Sequence, residues 1–365
     1  MKSLKALILA GGFGTRLRPL SCTRPKTLFP IVNKPLLQWT FERLAKNDVT
    51  DAILAVNHQT EFLLKQYRIP RCGVRITYSR DPPGKPLGTG GPVKKAEKLL
   101  DHDFPFLVLN GDIFADVNYK EIVKIDKKKK AVATIALHRV EDPTRYGVAE
   151  LDENNRIRRF VEKPPSETAP SNFINAGVYV LHPEIFKYIP ENRAVSLERE
   201  VFPTLAEDGK LYGHMFDGLW SDIGEPEDYL EINKTLLNPF DTSQKFEERK
   251  KVEVKNPVAF DKEVSIGEKS VIGPYTILGR HVIVGKNVHI RDSVIFQNTS
   301  IGDSSSINGA VIGEGANIGK EVKIGKGCIV GDHVKIKDGM ALAKKVSICP
   351  AKEISESVLT PENII

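Results

Sequence analysis

The sequence predicts an α/β chain in which a Rossmann-like mixed or parallel sheet domain is followed by a left-handed parallel β-helix of hexapeptide repeats. Two patterns carry this prediction. Apolar strands alternate with amphipathic helices over residues 1–237, and an aliphatic residue recurs at every sixth position over residues 258–345. The polar residues 238–257 between them are predicted to form a linker, and residues 346–365 a C-terminal tail.

The predicted strands of the first part are continuous apolar runs, a pattern typical of a parallel sheet that is covered on both faces. Helical patterns begin at Pro35, near Val93 and at Tyr119. In sheets of this kind ligands bind beyond the carboxyl ends of the strands, so the residues that follow each strand are the first candidates for a site. We expect strands over residues 4–9, 52–56, 74–78, 106–109 and 131–137.

The second part is defined by a six-residue period with two single-residue slips. Each repeat is predicted to give one short strand with an aliphatic side chain pointing inward, and stacked coils then build aliphatic ladders. Glycine follows most of these aliphatic residues and is expected at the corners between strands. The ladder positions are Ile266, Ile272, Leu278, Val284, Ile290, Ile295, Ile301, Ile307, Ile312, Ile318, Ile324, Val330 and Ile336.

Composition limits the classes of function that are open to the chain. Its 365 residues suggest about two domains, and 41% hydrophobic with 27% charged residues is the composition of a globular protein. The net charge of +6 is modest for this length, which fits small polyanions and argues against a nucleic-acid partner. The four cysteines are isolated, so we expect no zinc site, no disulfide and a cytoplasmic location. No apolar stretch is long enough to cross a membrane, and no membrane partner is expected.

The most informative motif is the Gly-rich loop at residues 11–16, which reads GGFGTR and directly follows the first predicted strand. Backbone N–H groups of such a loop can converge on one anionic group, and Arg16 adds a planar charged fork suited to phosphate oxygens. Residues 24–26, Arg-Pro-Lys, offer a second cationic clamp. Leu17 stands where a dinucleotide-binding fingerprint needs its third glycine, and no Gly-Lys-Ser/Thr ending is present. The loop therefore predicts a site for phosphates, in the first place those of a nucleoside triphosphate.

Charged and amide side chains near other predicted strands are further candidates. Asp112 follows a strand and Asp222 precedes a helical run, and the two carboxylates would suit one magnesium ion if the fold brings them together. Each could equally be a turn or cap residue. Lys163 ends a strand and could meet a terminal phosphate, although most lysines simply lie on the surface. Asn175 could bind sugar hydroxyls, and the second Gly-rich loop, residues 86–91, could read the edge of a base.

Taken together, these motifs resemble the sugar-1-phosphate nucleotidylyltransferases and, within that family, the GDP-mannose pyrophosphorylases, also called mannose-1-phosphate guanylyltransferases. The base loop at 86–92 and the stretch SLEREVFP at 196–203, with residues 220–224, carry the likeness to the guanylyl-transferring members. The matching motifs occur in the family's order, and the hexad repeat extends the match to most of the chain. The motifs are residues 9–19, 24–26, 33–35, 87–89, 110–112, 146–147, 162–164, 175–177 and 220–224.

The resemblance implies transfer of a nucleotidyl group from a nucleoside triphosphate to a sugar 1-phosphate with Mg²⁺ as cofactor, most closely from GTP to mannose 1-phosphate. It implies a nucleotide site of Leu9, Ala10, Gly11, Gly12, Gly14, Thr15, Arg16, Lys26, Pro86, Gly88 and Asp112. It implies a sugar-phosphate site of Gly147, Glu162, Lys163 and Asn175, and a metal site of Asp112 and Asp222. The implied catalytic set is Arg16, Lys26, Asp112, Lys163 and Asp222.

Three alternatives stay open at the level of sequence. One is a nucleotidylyltransferase that pairs UTP or dTTP with glucose 1-phosphate. Another is a bifunctional enzyme of uridylyl and acetyl transfer, although its base-loop motif differs from residues 87–92. The third is a non-catalytic regulatory homologue, against which the presence of the whole catalytic set argues. In every case the partners are small molecules, and the open strand edges at the ends of a β-helix predict a homo-oligomer.

Overall fold

The structure is a computed structural model that describes residues 4–12, 14–82, 86–129, 131–238 and 251–364. The chain forms two compact units, and each is assembled from two segments. The first unit comprises Met1–Gly12 and Leu36–Asp222, and the second comprises Phe13–Pro35 and Ile223–Ile365. Residues 13–35 therefore group with the C-terminal part of the chain, which the predicted boundary at residue 237 does not anticipate. Among the described residues, no helix is long and apolar enough to cross a membrane.

The elements up to residue 237 follow the predicted alternation of strands and helices. In chain order they are β1 (Lys5–Leu9), β2 (Pro30–Ile31), β3 (Lys34–Pro35), α1 (Leu36–Lys46), β4 (Asp51–Val56), α2 (His58–Tyr67), β5 (Arg75–Arg80), α3 (Gly90–Lys95), β6 (Phe106–Asn110), β7 (Ile113–Ala115), α4 (Tyr119–Lys129), β8 (Ala133–Arg139), β9 (Gly147–Leu151), β10 (Ile157–Glu162), β11 (Phe173–Leu181), α5 (Phe202–Glu207), β12 (Leu211–Met215), β13 (Trp220–Asp222) and α6 (Pro226–Leu237).

The first unit is built on a nine-stranded mixed sheet, which confirms the predicted fold class. Its main path is β10-β9-β11-β6-β1-β4-β5, and β8 pairs with both β11 and β12. Strands β6, β1, β4 and β5 run parallel, whereas β11 runs antiparallel to β6. Ala6, Leu7 and Ile8 are fully buried, as a central strand covered on both faces requires.

Local sequence explains where two helices of the first unit begin. Helix α1 starts at Leu36, one residue after the predicted Pro35, because Pro35 pairs with Pro30 in the β2–β3 hairpin. The helix α2 has no counterpart in the sequence prediction. Asn57 caps it by accepting a hydrogen bond from Thr60 N at 2.7 Å, so the asparagine was the signal for its start.

The second unit contains the repeat region, whose strands form three parallel sheets of six, seven and six strands, consistent with a left-handed parallel β-helix. Each strand pairs with the third strand after it, so that Ile266 lies beside Val284, eighteen residues further along the chain. The strands are Glu253–Val254, Val258–Phe260, Ser265–Ile266, Val271–Ile272, Thr276–Leu278, Ile283–Val284, His289–Arg291, Val294–Ile295, Ser300–Ile301, Ser306–Asn308, Val311–Ile312, Asn317–Ile318, Lys323–Ile324, Ile329–Val330, Lys335–Ile336, Ala341–Leu342, Ser347–Ile348, Glu353–Ile354 and Asn363–Ile364.

The aliphatic ladders are confirmed: all thirteen predicted positions are buried in one core cluster. The ladder also continues beyond the last predicted position, Ile336, through Leu342, and it passes the predicted end at residue 345 with Ile348 and Ile354. No glycine follows these three residues, but they continue the six-residue period from Ile336. At the other end, the strand Glu253–Val254 lies within the predicted linker 238–257 and pairs with Val271–Ile272 of the β-helix. Residues 239–250 of this linker lie outside the described part. The β-helix thus includes much of the predicted tail.

The ladder geometry predicts a large difference between two isoleucines of the second unit. Ile318 is 1% exposed in the ladder, whereas Ile283 points outward and is 57% exposed. We expect Ile318→Ala to lower the free energy of unfolding by about 2–5 kcal/mol, because it leaves a cavity in a close-packed core. Ile283→Ala should change it by less than about 0.5 kcal/mol. Urea unfolding of both variants measures the difference, and equal losses would contradict the inward assignment of the ladder.

Candidate active site

The candidate site of the first unit begins with the pairing of β1 and β6. These parallel strands are in register so that Leu9 lies opposite Asn110, and Gly111 N donates a hydrogen bond to Leu9 O at 2.9 Å. Leu9, Ala10, Gly11 and Gly12 therefore leave the sheet at the same edge as Asp112. This is the carboxyl edge, where ligands bind in sheets of this kind.

A short antiparallel pair places the two candidate metal ligands next to each other. Strand β7 follows Asp112 directly and pairs with β13, in which Asp222 lies opposite Ile113. Asp112 thus directly precedes the residue that lies opposite Asp222. Among the described residues no group of three or more His, Cys, Asp or Glu side chains could hold a metal. Two carboxylates fit magnesium, which takes one or two of them and completes its shell with water and phosphate oxygens.

The predicted sugar-phosphate residues reach the same edge through β11. Because this strand is antiparallel to β6, with Val178 opposite Leu109, the residues before Val178 extend beyond the carboxyl edge, and Asn175 is among them. Strand β9 lies beside β11 there. Gly147 of β9 pairs in turn with Glu162 of β10, and Lys163 comes next along the chain.

The contacts around Gly147 show how closely this part of the site is built. A Cβ atom at Gly147 would lie 2.8 Å from Glu162 Oε2, so the carboxylate lies directly over the glycine backbone. Burial raises the pKa of the Glu162 carboxyl above its usual value, and the charge of Glu198 adds to this shift against that of Lys163. Lys163 is exposed and adopts a left-handed backbone conformation with φ of 53°.

A buried hydrogen-bond network connects the second Gly-rich loop, residues 86–91, with Asn175. Glu198 is 9% exposed and accepts hydrogen bonds from Thr89 Oγ1 at 2.5 Å, Ser196 Oγ at 2.9 Å and Tyr179 OH at 3.3 Å. Tyr179 OH in turn accepts one from Asn175 Nδ2 at 2.9 Å. The sequence analysis did not single out Glu198 or Tyr179 as site residues. The signal available for Glu198 was its place in the family-like stretch 196–203.

The base loop is held by close backbone contacts. Gly88 has φ of +71°, and a Cβ atom there would lie 2.3 Å from Val195 O. Gly90 N donates to Val195 O at 2.8 Å, and Val195 N donates to Leu87 O at 3.0 Å. Only glycine fits at position 88, because any side chain would push the loop off residue 195. Pro86 precedes this tightly held part of the loop.

Asp81 is a second carboxylate that the sequence analysis missed. It follows β5, and its backbone N donates to Val56 O at 2.8 Å, so it lies at the carboxyl end of the parallel strands. A Cβ atom at Gly11 would lie 3.0 Å from Asp81 Oδ2. Oδ1 is buried without a hydrogen-bond partner among the described residues, and burial raises the pKa of the carboxyl. The rule that selected Asp112, a carboxylate after a strand, would have selected Asp81 too.

The second unit holds Gly14, Arg16 and Lys26. Ser21 Oγ donates to Gly14 O at 2.7 Å, and a Cβ atom at Gly14 would lie 3.0 Å from Lys26 Cγ, so this segment folds back on itself. Lys26 is 7% exposed, and Arg16 is exposed. Phe13 and the side chain of Thr15 lie outside the described residues.

The predicted clamp of Arg24 with Lys26 is wrong for Arg24. Its side chain is 4% exposed, and Nη2 lies 2.6 Å from Asp332 Oδ2 and 2.8 Å from Glu314 Oε2. Two carboxylates of the β-helix bind the buried guanidinium in place of water. Lys26 therefore remains the candidate phosphate ligand of residues 24–26.

The fold and this edge define a class of α/β proteins that bring phosphorylated ligands to the carboxyl ends of a mixed sheet. The chain belongs to the nucleotidyl transferase family, whose model matches residues 5–239. Residues 254–364 match the model of the GMPPB C-terminal domain. Members of this family generally use a divalent metal ion.

Curated relatives and solved structures agree with this membership. A mannose-1-phosphate guanyltransferase of Aspergillus fumigatus is 45% identical over 233 residues, covering 62% of each chain. The mannose-1-phosphate guanylyltransferase catalytic subunit beta of Danio rerio is 43% identical over 231 residues, covering 62% of this chain and 63% of that protein. The matches thus span somewhat less than two thirds of these relatives. The crystal structure of HddC from Yersinia pseudotuberculosis complexed with GMP-PN is 28% identical with a TM-score of 0.54, covering 64% of this chain and 99% of that one.

The backbone contact at Gly88 predicts that Gly88→Ala weakens nucleotide binding by about tenfold or more, a loss of about 1.4 kcal/mol. The new Cβ atom would displace the base loop from residue 195. Gly73→Ala is the matched control, because Gly73 also has a positive φ, +84°, but open space around it. Calorimetric titration with GTP measures both variants. Equal affinities of the two variants for GTP would show that the contact with Val195 is not needed.

Proposed function

We propose that the chain transfers the guanylyl group of GTP to mannose 1-phosphate, giving GDP-mannose and pyrophosphate. The observation that carries this proposal is the register of β1 and β6, which brings the start of the Gly-rich loop and Asp112 to one edge. The choice of GTP and mannose is supported by the names of the curated relatives, two of which are 45% and 43% identical to this chain.

The chemistry needs charge control rather than a protein base. A phosphate oxygen of the sugar 1-phosphate attacks the α-phosphorus of the nucleotide, and the bond from that phosphorus to the β-phosphate oxygen breaks, releasing pyrophosphate. The second pKa of a phosphate monoester is about 6, so the nucleophile is mostly ionised at neutral pH. The protein must therefore bring two anions together and stabilise charge on the leaving group.

The proposed roles follow from the chemistry of each group. Backbone N–H groups of Leu9, Ala10, Gly11, Gly12, Gly14 and Thr15 bind the triphosphate. Arg16 and Lys26 neutralise its charge, and Pro86 and Gly88 line the base subsite. Glu162, Asn175 and the backbone of Gly147 bind the sugar hydroxyls, and Lys163 binds the phosphate of the sugar. The pair Asp112 and Asp222 would hold Mg²⁺. When bound, Mg²⁺ supplies positive charge to the phosphate oxygens that carry the developing charge.

Three further proposals concern the protein as a whole. Residues 1–237 would carry the catalysis, with the β-helix as a second domain. A homo-oligomer would cover the open strand edges of the β-helix, which otherwise invite pairing with other chains. A cytoplasmic location is supported by the four cysteines, all of which are free thiols.

A product screen tests the proposed reaction. Four nucleoside triphosphates are combined with mannose 1-phosphate and glucose 1-phosphate in the presence of Mg²⁺, and pyrophosphate release is measured. We expect GTP with mannose 1-phosphate to give a kcat/KM at least about tenfold above any other pair, a difference of about 1.4 kcal/mol in transition-state binding. Higher activity with UTP or dTTP and glucose 1-phosphate would overturn the substrate assignment. Release with no pair would favour a regulatory homologue.

The metal proposal predicts a specific defect in Asp222→Asn. The amide is a weaker magnesium ligand than the carboxylate, so the Mg²⁺ concentration for half-maximal activity should rise by about tenfold or more. Asp217→Asn is the control, because Asp217 is an exposed aspartate three residues before β13. Magnesium titrations of turnover measure both variants. A titration of Asp222→Asn that superimposes on that of the control would argue against metal ligation by Asp222.

A further inference from the structure

We infer that the β-helix positions the phosphate-binding segment of the chain, with Arg24 as the positioning residue and Asp332 as its anchor. The inference rests on the proposed function insofar as it takes Lys26 to bind the triphosphate. It gives the β-helix a part in nucleotide binding, in addition to any part in assembly. Every residue in the argument belongs to the second unit.

The anchor is a buried cluster of opposite charges. The side chains of Arg24 and Asp332 are 4% and 3% exposed, and that of Glu314 is 19% exposed. Thr23 Oγ1 donates a second hydrogen bond to Asp332 Oδ2 at 2.6 Å, and the guanidinium of Arg24 lies 5.0 Å from the centre of the Phe296 ring. Buried ion pairs hold their geometry tightly, since breaking one leaves an uncompensated charge out of water.

The backbone transmits the position of Arg24 to Lys26, two residues later. Lys26 begins a 3-10 turn, Lys26–Leu28, in which Leu28 N donates to Pro25 O at 2.9 Å. Lys26 then packs its stem against Gly14. A displacement of Arg24 therefore moves the lysine that we assign to the triphosphate and the glycine next to it.

Further contacts tie the rest of the segment to the same unit. Asn33 Nδ2 donates to Leu278 O of the β-helix at 3.0 Å, and Val32 N donates to Asn233 Oδ1 of α6 at 2.9 Å. Phe29 packs edge-on against Tyr229 and Phe296. These contacts hold residues 29–33, whereas the Arg24 cluster is the attachment nearest to Lys26.

The repeat supplies an internal control for Asp332. Three aspartates accept a backbone hydrogen bond at equivalent coil corners, since Asp303, Asp332 and Asp338 bind the N–H groups of Lys286, Glu314 and Lys320 at 2.7–2.8 Å. That bond uses Oδ1 in each case, and in Asp332 the other oxygen binds Arg24. A substitution at Asp338 therefore alters the same kind of backbone hydrogen bond at a coil corner but leaves the contact between Arg24 and Asp332 intact.

The test uses the full-length protein and calorimetric titration with inorganic tripolyphosphate and with GTP. We expect Asp332→Asn to weaken both affinities by about tenfold or more, and Asp338→Asn to leave them within about twofold, differences of about 1.4 and 0.4 kcal/mol. The losses in the double variant Arg24→Met with Asp332→Asn should be smaller than the sum of the losses in the two single variants, because both changes disrupt the same contact between Arg24 and Asp332. Should Asp332→Asn fail to fold, Glu314→Gln takes its place, with a smaller loss in the same direction.

Kinetics separate positioning from a general loss of structure. In Asp332→Asn the KM for GTP should rise while the KM for mannose 1-phosphate stays within about twofold, or about 0.4 kcal/mol. Arg24→Lys should bind GTP and tripolyphosphate more tightly than Arg24→Met but less tightly than the unaltered protein, because lysine keeps the charge and loses the planar fork. Equal affinities of Asp332→Asn and Asp338→Asn, or no binding of tripolyphosphate by the unaltered protein, would overturn the inference. Since the binding experiment needs no turnover, an anchor effect without pyrophosphate release would instead refute the proposed reaction alone.

Discussion

The parallel pairing of β1 with β6 is the constraint on which the candidate site depends. With Leu9 opposite Asn110, two loops of different sequence must leave the sheet side by side, one rich in glycine and one carrying Asp112. The pairing of β13 with β7 then places Asp222 opposite Ile113, the residue that follows Asp112. A shift of one residue between β1 and β6 would turn every side chain of the shifted strand to the opposite face of the sheet and would abolish this arrangement. The chemistry is therefore a consequence of strand register.

The second unit follows a different principle, because its repeat stacks nearly identical coils whose interior is a set of aliphatic ladders. Such a rigid column can hold an attached segment at fixed points along its length. The buried pair of Arg24 and Asp332 is one such point. A charge cluster of this kind is costly to break, which suits it to fixing the position of Lys26. The β-helix thereby gains a physical connection to the residues of its own unit that we propose to bind phosphate.

Much of this was accessible from sequence, because strand ends and six-residue periods are local signals. The same rules mark Asp112 and the ladder from Ile266 to Ile336. What local rules miss is the identity of long-range partners. Arg24 was predicted to be part of a phosphate clamp, but Asp332, far along the chain, binds it. Glu198 was not predicted as a site residue, because Thr89, one of its hydrogen-bond donors, is also far along the chain. The later coils were left out of the prediction although the six-residue period continues through Leu342, Ile348 and Ile354.

The most direct test of the shared edge is a crystal structure of the full-length protein with Mn²⁺ in place of Mg²⁺ and a non-hydrolysable GTP analogue. Anomalous scattering locates the metal without reference to the protein density. We expect one manganese peak bound by carboxylate oxygens of both Asp112 and Asp222, with phosphate oxygens of the nucleotide completing its shell. A peak ligated by neither aspartate, or a nucleotide bound away from the carboxyl ends of β1 and β6, would contradict it.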